Sequence, residues 1–137
     1  MNILEKIKKK LEGYPQIKFE TKKFEKYESI VVNSSNEGFA VCMYLYKDGE
    51  FQVCGDGWRY EMLDLKNEDE TIDVFMQCLS NRARLRIFSY GKKDYRWDIE
   101  VKDDGKWKKD TSVVSVPALL SSFLKQKTER VLQNKYI

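Results

Sequence analysis

Four of the six arginines, Arg82, Arg84, Arg86 and Arg96, fall within one stretch of fifteen residues, interleaved with Phe88, Tyr90, Tyr95 and Trp97. Guanidinium groups beside aromatic rings suit two kinds of contact. One is RNA or another single-stranded nucleic acid, where arginine meets phosphate and a ring stacks on a base. The other is a protein partner, because Arg, Tyr and Trp concentrate binding energy at interfaces. A structural role competes with both. Asp98 and Glu100 stand where cross-strand pairs with Arg84 and Arg86 would neutralise a solvated sheet face. Arg84, Arg86, Arg96, Tyr90 and Trp97 form the first set of candidate binding residues.

Bond-making chemistry has less to work with. The chain has no histidine, which removes the commonest general base near neutral pH and the commonest metal ligand. Ser-His and Cys-His nucleophile pairs are excluded with it. Cys42, Cys54 and Cys78 are an odd, scattered set without Cys-x-x-Cys spacing, so no metal site is expected. No glycine-rich phosphate loop, dinucleotide fingerprint or calcium loop occurs, and no cofactor is expected. Asp56, in Cys54-Gly55-Asp56-Gly57-Trp58, is the best isolated carboxylate, yet turn chemistry alone accounts for an Asp-Gly pair. A histidine-free enzyme working through carboxylates, Lys or Tyr ranks behind the binding readings.

These side chains must be placed by a sheet. Asp48-Gly49, Asp56-Gly57 and Asp104-Gly105 are each flanked by β-branched and aromatic residues, the short-range signature of hairpins. Phe39–Lys47, Glu50–Gly55 and Trp58–Leu63 read as a three-strand meander. Two-residue loops would put Tyr44, Tyr46, Phe51, Val53, Tyr60 and Met62 on one face, with Trp58 over Gly55. The opposite face receives Phe39, Val41, Met43, Leu45 and Cys54, with Gln52, Arg59 and Glu61. In that register Cys42 and Cys54 are diagonal and on opposite faces, which favours burial as small hydrophobes over a redox pair. Tyr44, Tyr46, Trp58 and Tyr60 are the second candidate set, either a binding platform or core beneath a helix. Ala83–Tyr90 and Tyr95–Lys102 read as a further hairpin. Its apolar faces, Ala83-Leu85-Ile87 and Tyr95-Trp97-Ile99-Val101, meet only in registers that also bring Arg84 and Arg86 beside Asp98 and Glu100. Thr111–Val116 is a further short strand.

Helices frame these strands. Asn2–Glu12 carries an Ile3, Leu4, Ile7, Leu11 stripe, stopped by Gly13 and Pro15. Asn67–Asn81 carries Ile72, Phe75, Met76 and Leu79, with Asn67 and Glu70 spaced as in a capping box. Pro117 opens a third helical pattern of Leu119, Leu120, Phe123 and Leu124, which Val131, Leu132 and Tyr136 extend either as the same helix or as a second piece.

At 137 residues, 42% hydrophobic and 13% aromatic, residues 1–137 are expected to form a single α+β domain. The net charge of +3 is too small alone to imply nucleic acid or an anionic membrane. It is unevenly spread: residues 61–73 hold six acids against Lys66, and residues 82–96 hold six bases against Asp94. No apolar stretch follows the charges of Met1–Lys10, and the longest apolar run, Phe39–Tyr46, is far too short to span a bilayer. A reduced, cytoplasmic protein is expected.

The expected architecture is one twisted antiparallel sheet, meander plus hairpin, packed against about three helices in the order α-βββ(β)-α-ββ-α. This order is similar to that of small bacterial type III secretion chaperones and sensory-regulator-like domains. Those chaperones are typically acidic homodimers, whereas this chain is mildly basic. The leading expectation, from the sheet-face aromatics and the arginine strand, is a non-catalytic protein of chaperone, immunity or adaptor type that contacts another protein; the Val41–Leu45 strand, apolar on both sides, leads to the expectation of an exposed apolar patch or a homodimer interface.

Overall fold

Asn2 and Glu5 start the chain in helix. The Asn2 side chain accepts from Glu5 N–H at 2.9 Å, and Glu5 accepts in return from Asn2 N–H. Such reciprocal capping is worth about 1 kcal/mol. It opens α1 (Ile3–Glu12), whose Ile3, Leu4, Ile7 and Leu11 are buried. Asn67 likewise caps α2 (Glu68–Cys78), accepting from Glu70 N–H at 2.8 Å. Lys6 and Glu68, 2.6 Å apart, join the two helices. A computed structural model describes residues 1–35, 37–60, 67–115 and 126–137.

Eight strands accompany these helices among the described residues, in two antiparallel sheets of four. The first sheet runs in sequence order: β1 (Glu20–Lys23), β2 (Tyr27–Val32), β3 (Val41–Tyr46) and β4 (Phe51–Cys54). Its inner face carries Ile30, Val32, Val41, Met43 and Val53, which join α1 and α2 in the core. In the second sheet, β5 (Ala83–Tyr90) and β6 (Lys93–Asp103) are central. The outer strands are β7 (Lys106–Val114) beside β6 and β8 (Lys127–Leu132) beside β5. Ala83, Leu85, Ile87 and Ile99 are its buried inner residues.

Among the described residues the expected single sheet under three helices is therefore corrected to two sheets and two helices, in a different order. The likeness to secretion chaperones rested on element order and lapses with it. The third helix fails where it can be checked. Val131 and Leu132 lie in β8, paired with β5 through Arg86↔Val131 and Leu85↔Leu132. A strand there supplies hydrogen bonds to the far side of β5, and strand alternation buries Leu132 toward Leu85 while Val131 faces out. Pro117, Leu119, Leu120, Phe123 and Leu124 lie outside the described residues. So do Glu61, Met62 and Leu63, leaving of the third meander strand an isolated bridge, Cys54↔Arg59.

The first hairpin also differs. Leu45 pairs with Phe51, Met43 with Val53 and Cys42 with Cys54. The loop is three residues, Lys47-Asp48-Gly49, closed by Tyr46 N–H to Glu50 O at 2.8 Å, with Gly49 at φ +92°. One residue of slip turns every side chain to the other face. Phe51 and Val53 therefore point inward, away from Tyr44 and Tyr46. Around Asp56-Gly57 the expected pairing holds, with Gly55 N–H to Trp58 O and Tyr60 N–H to Val53 O, both 2.9 Å. The second hairpin takes a register of the expected kind, Leu85↔Ile99 and Arg84↔Glu100, but a bulge after Phe88 sets Tyr95, expected on the inner face, beside Phe88 and Tyr90 instead.

Candidate functional site

The slipped hairpin gathers an aromatic cluster on the outer face of the first sheet. Tyr44 and Tyr46 lie two apart on β3, and Tyr27 is the register partner of Tyr46 on β2. Ring centroids are 5.1 Å apart for Tyr27–Tyr44 and 5.9 Å for Tyr27–Tyr46. Phe24 stands 4.8 Å from Tyr27 and is 48% exposed. Both helices pack against the opposite face of this sheet. Burial and the neighbouring thiols push the Tyr44 phenol up to about 12, and burial raises Tyr46 as well. Both therefore stay neutral donors at physiological pH.

Trp58 and Tyr60, expected beside those tyrosines, are core residues on the inner side. The ring of Trp58 packs edge-on against Phe39 at 5.8 Å and against Tyr60 at 6.4 Å. Tyr60 donates to Asp110 Oδ2 at 2.5 Å, tying the first sheet to β7. Burial holds its phenol far above the ordinary value.

The arginines line the outer face of the second sheet. Arg84 Nε meets Glu100 at 2.7 Å, and Arg86 bridges Glu100 at 3.3 Å and Glu129 at 2.7 Å. Arg96 Nε meets the buried Asp98 at 2.9 Å, and Ser112 donates to the same oxygen at 2.5 Å. Arg84 also lies 4.2 Å above the Trp107 ring, and Arg96 lies 4.9 Å above Phe88. Tyr90 stacks on Tyr95 at 4.5 Å. Trp97 is on the inner face, opposite Ile87. The proposed arginine set is thus gathered on one surface, with its cations matched to carboxylates.

Between the sheets lies a cavity of about 200 Å³, lined by Phe39, Trp58, Trp97, Asp56, Asp94 and Arg130 among others. Arg130 grips Asp94 with two bonds of 2.9 Å, and Ser89 donates to Asp94 at 2.6 Å. The Arg130 hydrogen bond holds the Asp94 carboxyl below its ordinary value. It is therefore a fixed anion at neutral pH, not an acid or base in waiting. Among the described residues no group of three or more carboxylates and thiols is arranged to hold a metal ion, and no helix is long and apolar enough to cross a membrane.

Sequence reasoning missed Phe24, Tyr27 and the facing thiols. A three-residue reading of Lys47-Asp48-Gly49, with glycine in the left-handed position, would have found all but Phe24 and Tyr27. Arg130, Asp94 and Trp107 carried no local signal, because their partners are remote in sequence.

Compared with known proteins, the chain matches no family model, no curated protein and no solved structure.

Proposed function

We propose that this chain is a non-catalytic binding protein that engages another protein through the outer face of its first sheet. The observation that carries this reading is the contiguous Phe24-Tyr27-Tyr44-Tyr46 cluster on the face opposite both helices. Tyrosines offer large rigid contact area with a polar tip, the chemistry enriched at interface centres. The arginine surface supports a protein partner over nucleic acid, because Arg84, Arg86 and Arg96 already hold carboxylates that a phosphate would have to displace. Three free thiols suit a reducing compartment such as the cytoplasm.

The test begins with affinity capture from the native cell, identifying protein and nucleic acid alike. The purified partner is then titrated against wild type and a Tyr27→Ser/Tyr46→Ser variant whose fold is verified by circular dichroism. Loss of two central rings should weaken binding at least ~30-fold, the equivalent of about 2 kcal/mol at a hot spot. Unchanged affinity for the variant defeats the reading. So does capture of RNA alone, with affinity falling linearly in log salt and vanishing in Arg84→Ala/Arg86→Ala.

A further inference from the structure

Cys42 on β3 and Cys54 on β4 are register partners, on the same outer face as Tyr44. Antiparallel partners hold their Cα atoms ~4.5–5.5 Å apart, inside the ~4.4–6.8 Å that a disulfide spans. Both thiols are free. The neighbouring Cys54 thiol holds the Cys42 thiol below its ordinary value, while Cys42 and burial push Cys54 up. The pair thus has one sulfur suited to attack and one that retains its proton. Cys78 lies apart from them, in α2, is 1% exposed and is pushed up by burial.

We infer that Cys42 and Cys54 form a reversible two-electron redox site, oxidised by a small peroxide to a cross-strand disulfide. The size of the oxidant follows from access, since the two residues are only 8% and 9% exposed and a water-sized molecule reaches them where a bulky disulfide does not. The Cys42 thiolate attacks one oxygen of hydrogen peroxide. The O–O bond breaks, the departing hydroxide takes up a proton and leaves as water, and Cys42 becomes a sulfenic acid. The Cys54 sulfur then attacks the Cys42 sulfur. The S–O bond breaks, and the oxygen leaves as a second water with the Cys54 proton. Two thiols and one peroxide give one disulfide and two waters. A dithiol reductant returns the pair to thiols by exchange.

The test uses the folded, reduced, full-length protein. It is exposed to equimolar hydrogen peroxide, blocked with an alkylating agent, digested without reduction and mapped by mass spectrometry. The expected product is a Cys42–Cys54 linked peptide lighter by two hydrogens, lost on treatment with dithiothreitol, with Cys78 unlinked. In Cys54→Ser the attack has no resolving thiol, so dimedone should label Cys42. Complete oxidation of the thiols without a Cys42–Cys54 link, or a link that forms only through Cys78 or between molecules, overturns the assignment. So does persistence of both free thiols in a folded protein after prolonged peroxide.

Discussion

Asn134 is 2% exposed and holds the C-terminal segment to both the first sheet's approach loop and α2. Its Oδ1 accepts from Phe39 N–H at 3.0 Å, and its Nδ2 donates to Phe39 O at 2.9 Å and to Cys78 O at 3.0 Å. Asn134→Ala deprives a buried N–H of its acceptor, which costs ~1–3 kcal/mol, and removes two further bonds worth ~1 kcal/mol each. The expected loss is about 3–5 kcal/mol, a large fraction of the ~5–15 kcal/mol that stabilises a typical domain. In urea, with m of ~1–3 kcal/mol/M, the midpoint should fall by about 1–5 M at unchanged m.

Asn134→Asp sharpens this test. The aspartate keeps the acceptor for Phe39 N–H but turns its other oxygen on the Phe39 and Cys78 carbonyls. Its charged form is disfavoured, so its folded-state pKa rises above the ordinary ~3.9. Stability attached to a raised pKa is present at low pH and lost as pH rises through and above the ordinary value. The aspartate variant should therefore be less stable than the alanine variant at neutral pH and should gain on it toward pH ~4. Equilibrium unfolding of both variants across that range is the assay. An alanine variant within ~1 kcal/mol of wild type, or an aspartate variant with no relative gain on acidification, would refute the three-bond account.

Glycine substitutions should separate backbone strain from collision. Gly49 and Gly57 have φ of +92° and +84°, but a Cβ on Gly49 meets open space while one on Gly57 overlaps the Trp97 indole. Gly49→Ala should cost ~1–2 kcal/mol, and Gly57→Ala a further ~1–3 kcal/mol for the overlap; equal losses in thermal unfolding would show that the loop does not pack on Trp97 as described. Tyr60 should govern alkaline stability. Its raised pKa means a contribution fully present below the ordinary phenol value of ~10 and lost as pH rises beyond it. Tyr60→Phe should flatten the decline of unfolding free energy above pH ~10 by up to one proton's slope relative to wild type, and identical slopes would contradict the buried phenol.

How far the sequence discloses this molecule depends on how many independent constraints meet at each pairing. In the β5–β6 hairpin, the stripe Ala83-Leu85-Ile87 must meet Trp97-Ile99-Val101, and Arg84 must find Glu100. Hydrophobic and charge patterns favour the same kind of register, and the structure has one of that kind, Tyr95 excepted at the bulge. The α1 core is legible for the same reason, since cap, stripe and stop agree, and α2 through its cap and stripe, although it ends at Cys78 and not at Asn81. At Lys47-Asp48-Gly49 only the turn residues speak, and they fit two-residue and three-residue loops alike. The neighbouring strand cannot decide, because Val41–Leu45 is apolar on both faces. β8 is illegible for another reason. Its Val131 and Leu132 fit a helical stripe with the later Tyr136, and what makes the segment a strand is the unpaired side of β5, some forty residues earlier.

The same asymmetry divides the candidate site. The arginine surface was readable because its partners sit on the adjacent strand, and being so fully partnered leaves it little free charge to offer. The tyrosine face and the Cys42–Cys54 pair depend on the one register that local chemistry leaves open. A single residue of slip moves Cys54 from beside Met43 to beside Cys42 and moves Phe51 and Val53 off the tyrosine face. Register there is held by Gly49 on one side and by the inward packing of Met43 and Val53 on the other. Residues that look purely structural are thus what place two thiols in bonding range, and a change in loop length would abolish the redox pair without touching either cysteine.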